Sequence, residues 1–371
     1  MGKADGNLLP GSTGAVPLRV IDLFAGCGGL TEGFRLTGRF QPVVAVEHDL
    51  AAAATYAANF GEDHVYWGKI EDWVERGDLP AADVVVGGPP CQGFSNLGKR
   101  SPDDPRNELW RHYMDTIVQV RPKAFLIENV DRFGSSDQFQ MLRQETEPGG
   151  RLEDYQIDAR LVRATDFGAA QLRRRFIVIG TRRDLPQIEV PTRTLPRDEW
   201  KTVRQALDGL AEHVDPDDQR LPSSTTEVFG HVLPGTFKSP DLHITRHYTQ
   251  LSLDRFAEIP EGGNRLNLPD DLKARCWIGH DKGSLDVMGR MHWDRPSVTI
   301  RTEFFKPEKG RYIHPERPRA ITHHEAARLQ GFPDDFQWCG TKLDIARQIG
   351  NAVPVELAHG LAEHIASELG H

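Results

Sequence analysis

Only four cysteines occur in 371 residues (Cys27, Cys91, Cys276 and Cys339), far apart and in dissimilar contexts. They yield no disulfide framework and no CxxC metal pair. No apolar run approaches the roughly 20 residues that a spanning helix needs, so no membrane partner is expected. Residues 1–17 lack a hydrophobic stretch, which argues against a secretory signal, and Gly6 stands where a myristoylation motif places Ser or Thr. Internal repeats and low-complexity tracts are missing too. With 38% hydrophobic and 27% charged residues, the composition does not fit a disordered chain. The expectation is a soluble, cytoplasmic, mixed globular protein, long enough for one large domain and a smaller companion.

Positive charge is also in short supply overall: 45 basic against 54 acidic side chains give a net charge of −9. Phosphate is bound by local patches, however, not by totals. Residues 290–319 hold eight Arg or Lys against four Asp or Glu, and Arg173-Arg174-Arg175 are followed by Arg182 and Arg183. These clusters permit a nucleic-acid partner without requiring one, since a charge run is usually a solvated face.

What is present is an alternation of apolar runs and helical patterns. Residues 18–24, 42–47, 83–87, 123–128 and 176–180 read as strands, and residues 30–37, 51–60 and 109–120 as helices. Near-continuous apolar strands between helices predict a buried parallel sheet flanked by helices. After about residue 185 the rhythm stops, and residues 185–300 are rich in Pro, Asp, His and Gly, with short periodic pieces such as 203–210. Helical patterning resumes at 322–330, where Thr322 and Glu325 form a capping-box pair, and 355–369 reads as an amphipathic helix.

Three loops at strand ends carry chemistry-bearing residues. Phe24-Ala25-Gly26-Cys27-Gly28-Gly29 lies between a strand and a helix, where glycines let backbone amides approach a ligand. It departs from the dinucleotide fingerprint at Thr31, and Glu47 ends the next strand, where a carboxylate grips ribose hydroxyls. A plain strand–helix turn fits this loop as well. Gly88-Pro89-Pro90-Cys91 pins a cysteine at the carboxyl end of a strand, where a thiolate nucleophile would sit; the alternative is a buried structural cysteine. Glu128 ends another strand and would point into the same cleft as a proton donor. Gln171, Arg173 and Arg175 share one face of an extended segment, suited to phosphate or a base edge, unless they are ordinary surface side chains. His323-His324 invites a metal reading, but adjacent helical residues point in different directions, so capping and packing fit better and no metal is expected.

At these residues the chain resembles the DNA (cytosine-5)-methyltransferase family, bacterial restriction-modification type. The motifs follow in family order: Phe24 to Gly29, Gly88 to Ser95, Asp104 to Leu109, Glu128-Asn129-Val130 and Gln171-x-Arg173-x-Arg175. Glu325 to Pro333 and Arg347 to Pro354 come last. They cover residues 18–180 and 293–357. The resemblance implies an α/β, Rossmann-like, S-adenosyl-L-methionine-dependent methyltransferase sheet with a smaller target-recognition domain. Implied boundaries are a flexible terminus at 1–17, a catalytic and cofactor-binding domain at 18–195, a target-recognition domain at 196–335 and a returning segment at 336–371. Phe24, Gly26, Gly28, Leu30, Glu47, Ile70, Pro90, Leu109, Asn351 and Val353 would bind the cofactor, with S-adenosyl-L-homocysteine as product. Two positions depart from the family pattern: Lys69 replaces the usual adenine-contacting Asp, and Ala170 the usual Pro.

By the same resemblance Cys91 attacks carbon 6 of a flipped-out cytosine, Glu128 donates to nitrogen 3, Arg175 holds the carbonyl oxygen and Arg173 completes the catalytic set. Gln92, Ser95, Arg106 and Gln171 would touch DNA, with residues 92–106 closing over the base. The implied partner is double-stranded DNA, read by a monomer, with a cognate restriction endonuclease acting on the same DNA word. A tRNA methyltransferase fits less well, because Cys276 is followed by Trp277 and Ile278 rather than by Phe-Thr. A catalytically inactive DNA-binding regulator is the other rival, opposed by the presence of Cys91, Glu128, Arg173 and Arg175. A nicotinamide-dependent dehydrogenase is opposed by the missing third glycine.

Overall fold

The computed structural model describes residues 16–90, 105–210, 214, 219–279 and 282–371, with backbone only at 105–107. The strands of the main sheet are β1 (Leu18–Leu23), β2 (Phe40–Glu47), β3 (Val65–Trp67), β4 (Val84–Gly87), β5 (Ala124–Asn129), β6 (Tyr155–Arg163) and β8 (Arg174–Arg182). Between them run α1 (Gly29–Leu36), α2 (Leu50–Phe60), α3 (Ile70–Glu75), α4 (Pro105–Val120), α5 (Asp137–Glu145) and the two-residue β7 (Gln171–Leu172). The remainder holds α6 (Val203–Ala206), β9 (Thr225–Val228), β10 (His231–Pro234), β11 (Phe237–Lys238), α7 (Gln250–Glu258) and β12 (Ser297–Val298). Then come α8 (His323–Leu329), β13 (Gln337–Trp338), α9 (Lys342–Asn351) and α10 (Val355–Glu368).

The sheet order is β3-β2-β1-β4-β5-β8-β6, the α/β, Rossmann-like arrangement that the sequence predicts. β3, β2, β1, β4 and β5 are parallel, with Leu23 opposite Val46 and Gly87, and Gly87 opposite Ile127. This register brings the carboxyl ends of β1, β2, β4 and β5 to one edge. The expected parallel sheet is present in these five strands, whereas β8 runs antiparallel to both β5 and β6. β6 and β3 had no clear signal in the sequence. β6 is an edge strand whose residues are mostly half-exposed, so it carries no apolar run, and β3 has three residues.

Alternate residues of the central strands feed the two faces. Val20, Val84 and Leu126 pack with Leu30, Phe34, Leu357, Leu361 and Ile365 of α1 and α10. Ile21, Val85 and Phe125 pack with Trp73, Trp110, Ile117 and Leu142 of α3, α4 and α5. Each such side chain stabilises the fold by about 1.5–3 kcal/mol through burial. Gly33 marks the closest approach of α1 to α10, since a Cβ there would overlap Ala358. A further core joins Val203, Phe237, Ile300, Phe304, Ile321 and Leu329 to Phe336, Trp338, Ile345 and Ile349. The boundary drawn at 335 therefore runs through a packed core, a continuity that composition alone does not reveal.

Thr322 and Glu325 form the expected capping box at α8, with Thr322 Oγ1 accepting from Glu325 N and Glu325 Oε2 from Thr322 N. Arg319 adds a buried two-pronged pair to Glu325 at 2.8 and 2.7 Å. Coulombic attraction and hydrogen bonding from Arg319, opposed by burial, leave the Glu325 carboxyl at about 2. Beside it, His314 Nδ1 accepts from the backbone N–H groups of Glu316 and Arg317 at 3.1 and 3.0 Å, so it cannot also carry a proton. Burial lowers both His314 and His323 to about 4.

A histidine whose folded pKa lies below its unfolded value stabilises the fold above the unfolded pKa and loses that contribution as pH falls. Stability is therefore expected to drop between pH 6.5 and 4, by on the order of 3 kcal/mol for each of the two histidines. Thermal melts at pH 7.5 and 5 check this. A His314→Asn variant should show a shallower loss, and an unchanged slope would rule out His314 as a source.

Candidate active site

The parallel register gathers the first predicted loop, Glu47 and the end of β4 at the carboxyl edge of the sheet. Glu47 is buried, and its Oε2 accepts from Gly26 N at 2.8 Å while Oε1 accepts from His48 N and Asp49 N, both at 2.8 Å. Glu47 thus clamps the β1–α1 loop to the end of β2. The loop turns through left-handed residues at Phe24 (φ 57°), Gly26 and Gly28. At Gly26 a Cβ would meet nothing within 4 Å, so the loop opens outward there. Gly28 faces the other way, toward the rings of Phe60 and Tyr56, and Leu30 lies in the core below α1. Neither offers a side chain to a ligand from those positions; what they lend is backbone.

Under the loop lies an acid that the sequence reading passed over. Asp22 Oδ2 accepts from Thr31 Oγ1 at 2.7 Å, and Thr31 Oγ1 lies 3.0 Å from Tyr56 Oη. Burial raises the Asp22 carboxyl to about 7, and its Oδ1 has no hydrogen-bond partner. A lone Asp inside the apolar run 20–23 was the available signal. On the rim, His48 Nδ1 sits 3.2 Å from Glu47 Oε1, a contact that raises the imidazole pKa.

The chain's end returns to this loop. A Cβ on Gly29 would lie 2.8 Å from Val353 O, which puts the 351–353 segment directly against the start of α1. Leu109 and Phe24 are partly buried against the same core that contains Ile70, whose own side chain is only 3% exposed. Lys69, in place of the usual acid, is an exposed N-cap of α3 and makes no side-chain cap. An adenine-contacting acid is thus missing from that cap. The outward-opening Gly26, the buried Glu47 and the returning 351–353 segment fit a nucleoside cofactor.

The second half of the site is built from β4, β5 and β8. Arg175 Nε lies 2.5 Å from Glu128 Oε1, and both side chains are nearly buried. A Cβ on Gly88 would stand 3.3 Å from Glu128 Oε2, so the carboxylate lies against the loop leaving β4. Asn129 Nδ2 donates to Pro89 O at 2.9 Å, anchoring the same loop one residue before exposed Pro90. Cys91, Gln92, Ser95 and the side chain of Arg106 lie outside the described residues. Of the other cysteines, Cys27 and Cys339 are buried, and burial pushes both thiols to about 12. Cys276 is exposed, on a short helical turn remote in sequence from the sheet.

Two predicted site residues lie in the interior, which is not where a DNA contact by Gln171 was expected. Arg173 is 3% exposed, and its Nη1 donates to Ile300 O at 3.0 Å and Gly350 O at 3.2 Å. Burial, with Arg175 beside it, lowers its guanidinium to about 9, still cationic at neutral pH. Gln171, expected at DNA, is wholly buried and donates to Leu329 O and Gln330 Oε1. The shared face of the segment is real, but only Arg175 reaches the cleft, because the partners of the other two are backbone and Gln330. His323 and His324 turn to Lys342 O and to Asp334 respectively, in keeping with packing.

Among the described residues no helix is long and apolar enough to cross a membrane. The family model for C-5 cytosine-specific DNA methylases matches residues 18–367. The chain is 32% identical over 356 residues to the Type II methyltransferase M1.HphI of Haemophilus parahaemolyticus, covering 94% of this chain and 86% of that protein. It is 33% identical over 380 residues to the Type II methyltransferase M.XorII of Xanthomonas oryzae pv. oryzae, covering 94% and 84%. Among solved structures, a protein provisionally assigned as a DNA modification methyltransferase of an E. coli prophage superposes with a TM-score of 0.70 at 27% identity. That match covers 95% of this chain and all of the other. The S. pombe Dnmt2 methyltransferase, at 17% identity and a TM-score of 0.55, shares the fold. With its sheet, its strand-end motifs and this family match over nearly its whole length, the chain belongs to the C-5 cytosine-specific DNA methylases and is a DNA cytosine-5 methyltransferase.

Proposed function

We propose that the protein methylates carbon 5 of a flipped-out cytosine within one short word of double-stranded DNA, through a covalent adduct with Cys91. The observation that carries this reading is the Glu128–Arg175 pair, 2.5 Å apart, against the loop that leads into Cys91. Cytosine carbon 5 is a poor nucleophile until a thiolate adds at carbon 6. Cys91 would form that sulfur–carbon bond while Glu128 donates a proton to nitrogen 3 and Arg175 holds the carbonyl oxygen, which leaves electron density at carbon 5. S-adenosyl-L-methionine, when bound, supplies an electrophilic methyl group. Carbon 5 takes that methyl; a water in the cleft or another base then accepts the carbon 5 proton, the carbon 6–sulfur bond breaks to release the thiolate, and nitrogen 3 returns its proton to Glu128, which restores the ring. Glu47, Gly26, Phe24 and the 351–353 segment would hold the cofactor, with Pro90 and Leu109 alongside. The target base must leave the helical stack, which costs roughly a few kcal/mol.

The Type II names of the relatives support a restriction-modification setting, with a cognate endonuclease reading the same word and a monomer acting on one strand at a time. Residues 196–335 would supply the word-reading contacts. The test is incubation of purified protein with unmethylated plasmid and S-adenosyl-L-methionine, followed by base-resolution sequencing. Marks on cytosine confined to one word are expected. DNA binding without marks would favour an inactive regulator, and marks on tRNA alone would overturn the DNA reading.

A further inference from the structure

Four stretches of chain that are distant in sequence meet at two fully buried side-chain amides. Gln171 and Gln330 are both 0% exposed. Gln171 Oε1 accepts from Ile300 N at 3.3 Å, and its Nε2 donates to Leu329 O at 3.0 Å and to Gln330 Oε1 at 2.5 Å. Gln330 Nε2 in turn donates to Ile349 O and, at 3.3 Å, to Ala352 O, while Gln330 O accepts from Val355 N at 2.9 Å. The two amides therefore run head to tail from β7 to the segment that closes on Gly29. Arg173 reinforces the join by bonding Ile300 O and Gly350 O. At one end of this line Arg175, four residues after Gln171, is paired with Glu128. At the other end Ala352 immediately precedes Val353, whose carbonyl lies against Gly29.

We infer that Gln330, acting through Gln171, is a positioning residue that couples occupation of the cofactor site to the pose of Arg175 and Glu128 toward the cytosine. The inference rests on the reading that residues 24–29, 47 and 351–353 hold the cofactor. In a dry interior an amide cannot change direction without orphaning a donor or acceptor, so the pair transmits a shift of 351–353 rather than absorbing it. Coupling of this kind is reciprocal and appears as a ratio of affinities.

The measurement is the dissociation constant of a cytosine-containing duplex with and without saturating S-adenosyl-L-homocysteine. Wild type, Gln330→Met, Gln171→Met and the double variant are compared, with thermal melts run alongside. The cofactor product should tighten DNA binding to wild type, by about fivefold or more. In Gln330→Met that factor should fall to within about twofold of unity, while the affinity for DNA alone changes less than about twofold. The double variant should lose no more coupling than the single one, because both changes break one line. A coupling factor unchanged in folded Gln330→Met, or additive losses in the double variant, overturns the inference. Should Gln330→Met fail to fold, Gln171→Asn, which keeps an amide but shortens its reach, decides by the same ratio. If wild type and Glu47→Ala bind S-adenosyl-L-homocysteine equally well, the cofactor-site reading fails instead, a result distinct from intact binding without coupling.

Discussion

Cys91→Ser is expected to lose methyl transfer by at least about 10⁴-fold while DNA and S-adenosyl-L-homocysteine still bind within about threefold of wild type. A hydroxyl has nearly the thiol's shape but is a far weaker nucleophile, because at neutral pH almost none of it is ionised. The remaining cysteines cannot substitute. Cys27 and Cys339 are buried with thiols at about 12, and Cys276 belongs to a different part of the chain. A duplex carrying 5-fluorocytosine gives a second readout. With S-adenosyl-L-methionine present, methyl transfer leaves carbon 5 carrying fluorine, which cannot depart as a cation, so the wild-type adduct should persist and survive denaturing electrophoresis, whereas Cys91→Ser should form none. Turnover within tenfold of wild type in Cys91→Ser would remove the nucleophile assignment and, with it, the covalent route.

The strands that frame this site were legible because they are buried on both faces. All four residues of β4 and all six of β5 are buried, and each reads in the sequence as an apolar run ending in a glycine or in Glu128-Asn129. β6 escaped notice because an edge strand half in solvent needs no such run. The elements that gather at the carboxyl edge of the sheet were legible where an unusual residue stands at or just beyond a strand end: Glu47 closes β2, Glu128 lies at the end of β5 and Gly26 follows β1. The site was misread where the same side chain serves either surface or interior. A glutamine in a basic stretch resembles a DNA contact, and only the tertiary fold shows Gln171 turned inward onto Leu329 O and Gln330, with Arg173 beside it on the carbonyls of Ile300 and Gly350. Asp22 and Gln330 were missed for the same reason, since their partners lie on other elements. Sequence spacing predicted the shared face of 171, 173 and 175 but not that, of the three, Arg175 alone would pair with Glu128 while the other two bond interior groups.

Glu128→Gln is expected to lower the methylation rate by about 10²–10⁴-fold, the usual span for removing a positioned proton donor. The substitution keeps the shape and can still hydrogen-bond, but an amide does not deliver a proton to nitrogen 3. Because Glu128 lies at a strand end against Gly88 and is nearly buried, the affinity for DNA should change far less than the rate. Arg175→Ala should cost a similar factor by two routes, removing the contact proposed to the carbonyl oxygen and leaving Glu128 without the guanidinium 2.5 Å away. If the pair works as one unit, the double variant should be no slower than about tenfold below the slower single, rather than slower by the product of the two factors. Single-turnover rates on one cytosine-containing duplex, at saturating cofactor, measure all three. Rates that multiply would mean that Glu128 and Arg175 act independently, and a Glu128→Gln rate near wild type would transfer the proton-donor role to another group.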